Sequence, residues 1–92
     1  MSGVELYNFL ERMVRAADEG DRDSVLATNR MFSTLLSQTY RHLPDWSMNK
    51  EVLLYDGVRN RAVDAVTNWT MRETIVTEMR ERFSQVRKPK NI

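Results

Sequence analysis

The sequence predicts an all-α protein: a small antiparallel bundle of three helices, or four if the last one divides, with a long C-terminal helix. Three observations carry this. The second half holds two interleaved heptad series: Tyr55, Ala62, Trp69, Val76 and Phe83, and Val58, Ala65, Arg72, Met79 and Val86. All of these except Arg72 are apolar or aromatic, the pattern of a helix seam that packs against other helices. The first half carries two further amphipathic stretches at helical spacing, each closed by a helix stop. No segment alternates polar and apolar residues at period two, as a half-buried strand would.

The first helix is expected over about Gly3–Ala17. Ser2 and Glu5 form a capping-box pattern, and Leu6, Phe9, Leu10, Met13, Val14 and Ala17 share a face. Asp18-Glu19-Gly20-Asp21 ends it, with Gly20 suited to the left-handed conformation and Asp21 or Asp23 suited to cap the next helix. The second helix should span about Arg22–His42, with Val25, Phe32, Leu35, Leu36, Thr39 and Leu43 inward. Pro44 ends it by disfavouring a helical Leu43. Asp45 or Ser47 then caps a third helix over about Met48–Val86, ~58 Å at the usual rise. Gly57 and the threonine-rich Thr67–Thr74 stretch are its weak points. One continuous helix is nevertheless expected, because the heptad phase holds across both.

With 92 residues the chain should form one helical domain over 1–86, followed by a flexible basic tail over 87–92. A core this small is thin, and helical chains of this size often add area by dimerising. There is no cysteine, so disulfides and thiolate metal sites are excluded. No apolar run reaches the ~18 residues of a membrane span. The first residues lack the pattern of a signal peptide, so a cytoplasmic protein is expected.

Charge is uneven although the net is only +1. Residues 1–58 carry six Arg/Lys against nine Asp/Glu, a net −3, and residues 59–92 carry eight against four, a net +4. Arg59, Arg61, Arg72, Arg80, Arg82, Arg87 and Lys88 are the candidate phosphate contacts if the second half binds RNA or DNA. Glu73, Glu78 and Glu81 interrupt them, and Glu78 with Arg82 and Asp56 with Arg59 sit at ion-pair spacing. Catalysis finds little support. His42 is the one histidine, at a predicted helix end where a cation is favoured. The Asp18–Asp23 cluster lacks the glycine and distal glutamate of a calcium loop and reads as helix-stop chemistry. Neither a metal nor a cofactor is expected.

The stretch Met13-Val14-Arg15-Ala16-Ala17-Asp18-Glu19-Gly20-Asp21-Arg22-Asp23-Ser24-Val25-Leu26 resembles a pattern in the FliT-like chaperones of flagellar type III export. In that family an amphipathic helix, a turn of the form Ala-x-x-Gly-Asp-x-Asp and a second long helix precede a Pro-containing break. The resemblance implies a cytoplasmic, non-enzymatic chaperone that holds a partner's terminal helix in an apolar groove.

The functional expectation is a non-enzymatic module that binds another protein, and itself as a homodimer, through an apolar helical seam. Trp69, Val76, Met79 and Phe83 are its expected self-association residues, lying beyond the reach of the shorter first two helices. Leu35, Leu36 and Trp46 are the further partner candidates. An RNA- or DNA-binding helical dimer, such as a viral or phage regulator, is the alternative.

Overall fold

The computed structural model describes residues 3–89. Four α-helices account for most of it: α1 (Gly3–Asp18), α2 (Arg22–Tyr40), α3 (Lys50–Thr67) and α4 (Arg72–Ser84). Short 3₁₀ turns at Trp46–Met48 and Trp69–Met71 join α2 to α3 and α3 to α4. There is no strand among the described residues.

Helix α1 forms because its apolar residues return every three or four positions. Leu6, Tyr7, Leu10, Met13 and Ala17 are buried along one side. Its end is a Schellman motif. Gly20 has φ of 76°, its N–H reaches the Ala17 carbonyl at 3.1 Å, and the Asp21 N–H reaches the Ala16 carbonyl at 2.8 Å. Asp21 then serves as the N-cap of α2, accepting from the Ser24 N–H at 3.1 Å and the Ser24 hydroxyl at 2.6 Å. Those hydrogen bonds favour the ionised carboxylate and hold its pKa below the usual value. Ser2, the other expected cap, lies outside the described residues.

Helix α2 buries Val25, Phe32, Leu35 and Leu36 and ends at Tyr40, before Pro44. The start of α3 differs from expectation. Neither Asp45 nor Ser47 caps it; Asn49 does, accepting from the Glu51 N–H at 2.8 Å. Asp45 takes the left-handed conformation, with φ of 51°, to launch the 3₁₀ turn. Helix α3 passes through Gly57 without a break.

The expected single helix over 48–86 is two helices. The chain leaves α3 at Asn68, turns through Trp69–Met71, and re-enters as α4 lying against α3. Arg61 meets Glu78 at 3.0 Å, and Arg82 lies over Gly57, so the two helices run in opposite directions. The heptad phase survives because the seam is folded onto its own chain. Tyr55, Val58, Ala62 and Ala65 from α3 are buried, as are Val76 and Met79 from α4 and Val86 just beyond it. Trp69 and Arg72, the members that fall at the turn, leave the buried seam. The energetics favour this folding back. Interrupting the helix at Thr67–Asn68 surrenders residues of weak helix propensity, a difference of roughly 0.7 kcal/mol each at most. Covering Ile75, Val76 and Met79 gains about 1.5–3 kcal/mol per side chain.

Helices α1 and α3 form the central pair, and α2 and α4 each pack on that pair rather than on one another. Tyr7 stacks on Phe83 with ring centroids 5.5 Å apart, while Asp18 lies beside Arg72 and Arg80, so α1 and α4 are antiparallel. The termini of the four helices therefore gather at two ends. One holds the α1–α2 and α3–α4 turns. The other holds the start of α1, the α2–α3 connection and the segment after α4.

Candidate interaction surface

The turn end is closed by polar atoms. The Arg72 guanidinium, at the start of α4, donates to the Ala17 carbonyl at 3.2 Å and the Asp18 carbonyl at 2.6 Å. These are carbonyls at the C-terminus of α1, where a cation satisfies both hydrogen bonding and the helix dipole. Arg80 pairs with the Asp18 carboxylate. Trp69 is two-thirds exposed, but the edge of its ring covers Gly20, and Arg72 sits 5.1 Å from the ring centroid. Glycine at position 20 answers the positive φ; a Cβ there would meet the ring at 3.6 Å, an ordinary contact.

The opposite end is open and apolar. A hollow of about 220 Å³ lies between Tyr40, Leu54, Tyr55, Val86, Arg87 and Pro89. Leu54 also forms the wall of a shallower groove of about 490 Å³, shared with Leu53, Lys50 and Arg82. Leu53 is half exposed, and Met48 and Leu43, in the connection just before α3, are also exposed. Trp46 is half-buried and packs on the core from the same connection. Glu51, the one carboxylate lining the hollow among the described residues, accepts the Tyr40 hydroxyl at 2.8 Å. Burial and this carboxylate push the Tyr40 pKa well above the usual tyrosine value. Burial, with Glu51 and Tyr7 nearby, pushes that of Tyr55 up to about 12.

The expected self-association residues do not form one exposed surface. Val76 and Met79 are buried in the chain's own core, Phe83 packs partly buried against Tyr7, and Trp69 lies apart from them at the turn end, beside the half-exposed Met71. A dimer was expected because the seam would be left uncovered, and the fold-back of α4 covers it. Leu35 and Leu36 are likewise core residues and present no surface to a partner. Of the expected partner-binding residues, only Trp46 borders the open end.

The candidate phosphate contacts are mostly engaged within the chain. Arg59 pairs with Asp56, and Arg61 with Asp64 at 3.3 Å and Glu78 at 3.0 Å. Arg72 and Arg80 hold the end of α1. Arg82, Arg87 and Lys88 are exposed and have no carboxylate partner among the described residues. Position 82 therefore differs from expectation: Glu78 is drawn to Arg61 across the helices, rather than to Arg82 one turn along α4. His42 is exposed just past α2.

No pattern in the sequence selects Leu53, Leu54, Met48 and Tyr40 as partner residues. Their one legible signal is Leu53-Leu54, a bulky apolar pair lying off both heptad series. A leucine that the seam does not need is surface to be explained. Among the described residues, no helix is long and apolar enough to cross a membrane, and no cluster of three or more His, Asp or Glu is placed to hold a metal ion. Compared with known protein families, characterised proteins and solved structures, the chain matches none.

Proposed function

We propose that this protein is a non-enzymatic interaction module that holds an apolar segment of another protein at its open end. The observation that carries the reading is the exposed Leu53 beside the Leu54-walled hollow. Apolar surface there is concave, and residues from α2, α3 and the segment after α4 shape it. At about 220 Å³ the hollow falls below the ~300–1,000 Å³ usual for small-molecule sites, and it suits inserted side chains better than a free ligand. The resemblance of residues 13–26 to FliT-like export chaperones points toward the same kind of role, a helical chaperone with an apolar groove. Nucleic-acid binding is the weaker reading, because Arg59, Arg61, Arg72 and Arg80 have partners within the chain.

A random peptide library selected against the folded protein tests this. Enriched peptides should carry apolar residues at three- and four-residue spacing, as a helix laid in a groove requires. Their binding should be lost in Leu53→Asp, a change at an exposed position that leaves the helical circular dichroism intact, and kept in Trp69→Asp. Selection that yields no Leu53-dependent binder refutes the reading.

A further inference from the structure

The open end has a charge character that the whole molecule lacks. Net charge is only +1, so no long-range field draws polyanions to the chain. Locally, however, three cations border the apolar surface: Lys50 and Arg82 line the groove, and Arg87 lines the hollow. None of the three has an ion-pair partner among the described residues, whereas Arg59, Arg61 and Arg80 do. Of the carboxylates at this end, Glu51 is turned to the Tyr40 hydroxyl, and Glu5 and Asp45 line neither the hollow nor the groove.

Two of these cations stand where the fold gains little from them. Lys50 is the first residue of α3, at the positive end of the helix dipole, where a cation is disfavoured. Arg82 projects from α4 across α3 at Gly57, with its Nη1 atom only 3.3 Å from where a Cβ at that position would sit. The missing side chain at Gly57 leaves room for the Arg82 guanidinium, which lies between the groove and a neighbouring depression lined by Asn60, Arg61 and Asp64. Gly57 otherwise costs helix stability, roughly 1 kcal/mol against alanine.

We propose that the segment bound at the open end is acidic as well as amphipathic. Its apolar residues would enter beside Leu53 and Leu54, and its carboxylates would meet Lys50, Arg82 and Arg87. This rests on the interaction reading above and adds the chemistry of the partner. An acidic peptide fits better than an anionic membrane because the apolar surface is concave, a hollow and a shallow groove that share Leu54, rather than a protruding face. It fits better than nucleic acid because the groove between Lys50 and Arg82 is aliphatic at Leu53 and Leu54, the Tyr55 ring is buried, and the half-buried Tyr40 holds a carboxylate, Glu51, that repels phosphate.

The test uses one amphipathic peptide, with the apolar positions enriched in the selection, made in three versions whose polar positions are Glu, Gln or Lys. Binding is read by fluorescence anisotropy on the full chain. The Glu version should bind about tenfold more tightly than the Gln version, and the Lys version most weakly. The Glu advantage should shrink as salt rises, because exposed charges are screened. Arg82→Glu combined with Arg87→Glu should reverse the order of the Glu and Lys versions while circular dichroism stays unchanged. Lys50→Gln should reduce the preference without reversing it. Equal, Leu53-dependent binding of the Glu and Gln versions overturns the acidic partner and leaves the groove standing. Absence of Leu53-dependent binding by all three versions overturns the groove itself. Tighter, Arg82-dependent binding to phosphatidylserine vesicles or duplex RNA than to the Glu peptide also overturns the proposal, in favour of that polyanion.

Discussion

Where the two turns meet, Arg72 caps α1, Arg80 holds Asp18, and Trp69 lies over Gly20. At the other end Tyr40, Leu54 and Val86 surround a hollow, while Leu53 and Met48 face solvent. Each end gathers two helix starts and two helix ends, so the contrast lies in how their backbone groups are satisfied. At the turn end the C-terminus of α1 meets the N-terminus of α4, whose arginine supplies the Asp18 carbonyl with a donor and the Ala17 carbonyl with a second one. The open end is closed by short-range bonds: Asn49 caps the start of α3, the Arg41 N–H meets the Ser37 carbonyl at the end of α2, and the Gln85 N–H meets the Arg82 carbonyl at the end of α4. Its remaining surface is free to be apolar. An exposed tryptophan, usually the first residue suspected of binding a partner, here belongs to the closed end and covers a glycine turn.

The largest expected effect probes the feature both ends depend on, the folding of α4 onto the rest of the chain. Met79→Ala removes a fully buried side chain and should cost about 2–5 kcal/mol in denaturant unfolding. The loss should be independent of protein concentration, because Met79 is buried within one chain. A midpoint that shifts strongly with concentration would restore the dimer seam and break the comparison.

A smaller effect separates the ends directly. Arg72→Ala should cost about 1.5–3 kcal/mol, the range for hydrogen bonds made by a charged group, since it leaves the Asp18 carbonyl without its donor and the Ala17 carbonyl with only the Gly20 N–H. Arg72→Lys should recover only part of this, because an ammonium lacks the planar fork. Leu53→Ser at the open end should change stability by less than about 0.5 kcal/mol, as exposed substitutions usually do. Equal losses at Arg72 and Leu53 would show that both ends hold the fold.

The smallest effect sharpens the description of the open end. Tyr7, Tyr40 and Tyr55 all have pKa values raised above 10.0, chiefly by burial. A phenol whose folded pKa exceeds its unfolded value contributes stability that is complete below the unfolded pKa and is lost as pH rises toward the folded one. The contribution of these groups should therefore be full and independent of pH near neutrality, and stability should fall above pH ~10, the ordinary tyrosine pKa. Native tyrosinate absorbance should develop at higher pH than in the denatured chain. Tyr40→Phe should shift that native curve to lower pH, since it removes the most strongly raised of the three. A native curve that overlays the denatured one would mean that the hollow is wetter than its walls imply.

Much of the fold is legible in the sequence because it is local. The amphipathic face of α1, the Gly20 stop, the Asp21 cap and the Pro44 break each depend on residues within a turn or two, and the structure realises each. The α3–α4 junction departs from the expected continuous helix for a physical reason. A heptad phase records which side of a helix is apolar, and that side stays the same whether the seam continues straight or folds back after a turn that preserves the phase. The interruption is nonetheless marked. Trp69 and Arg72, the members of the two series that fall there, are the ones the turn leaves out of the buried seam. The threonines around them hold a helix weakly.

By itself, then, the sequence determined the helical class, the positions of the early helix ends and the residues that seek burial, since spacing and capping chemistry act over a few residues. Only the tertiary structure decided whom those residues meet. It placed Val76 and Met79 in the chain's own core, turned Arg72 and Arg80 into staples for α1, and left Leu53 and Leu54 at an open end. Such pairings join positions more than fifty apart in the chain, as Asp18 with Arg72 does. They follow from burying the most apolar area a thin four-helix core allows, a property of the whole packing that no local pattern encodes.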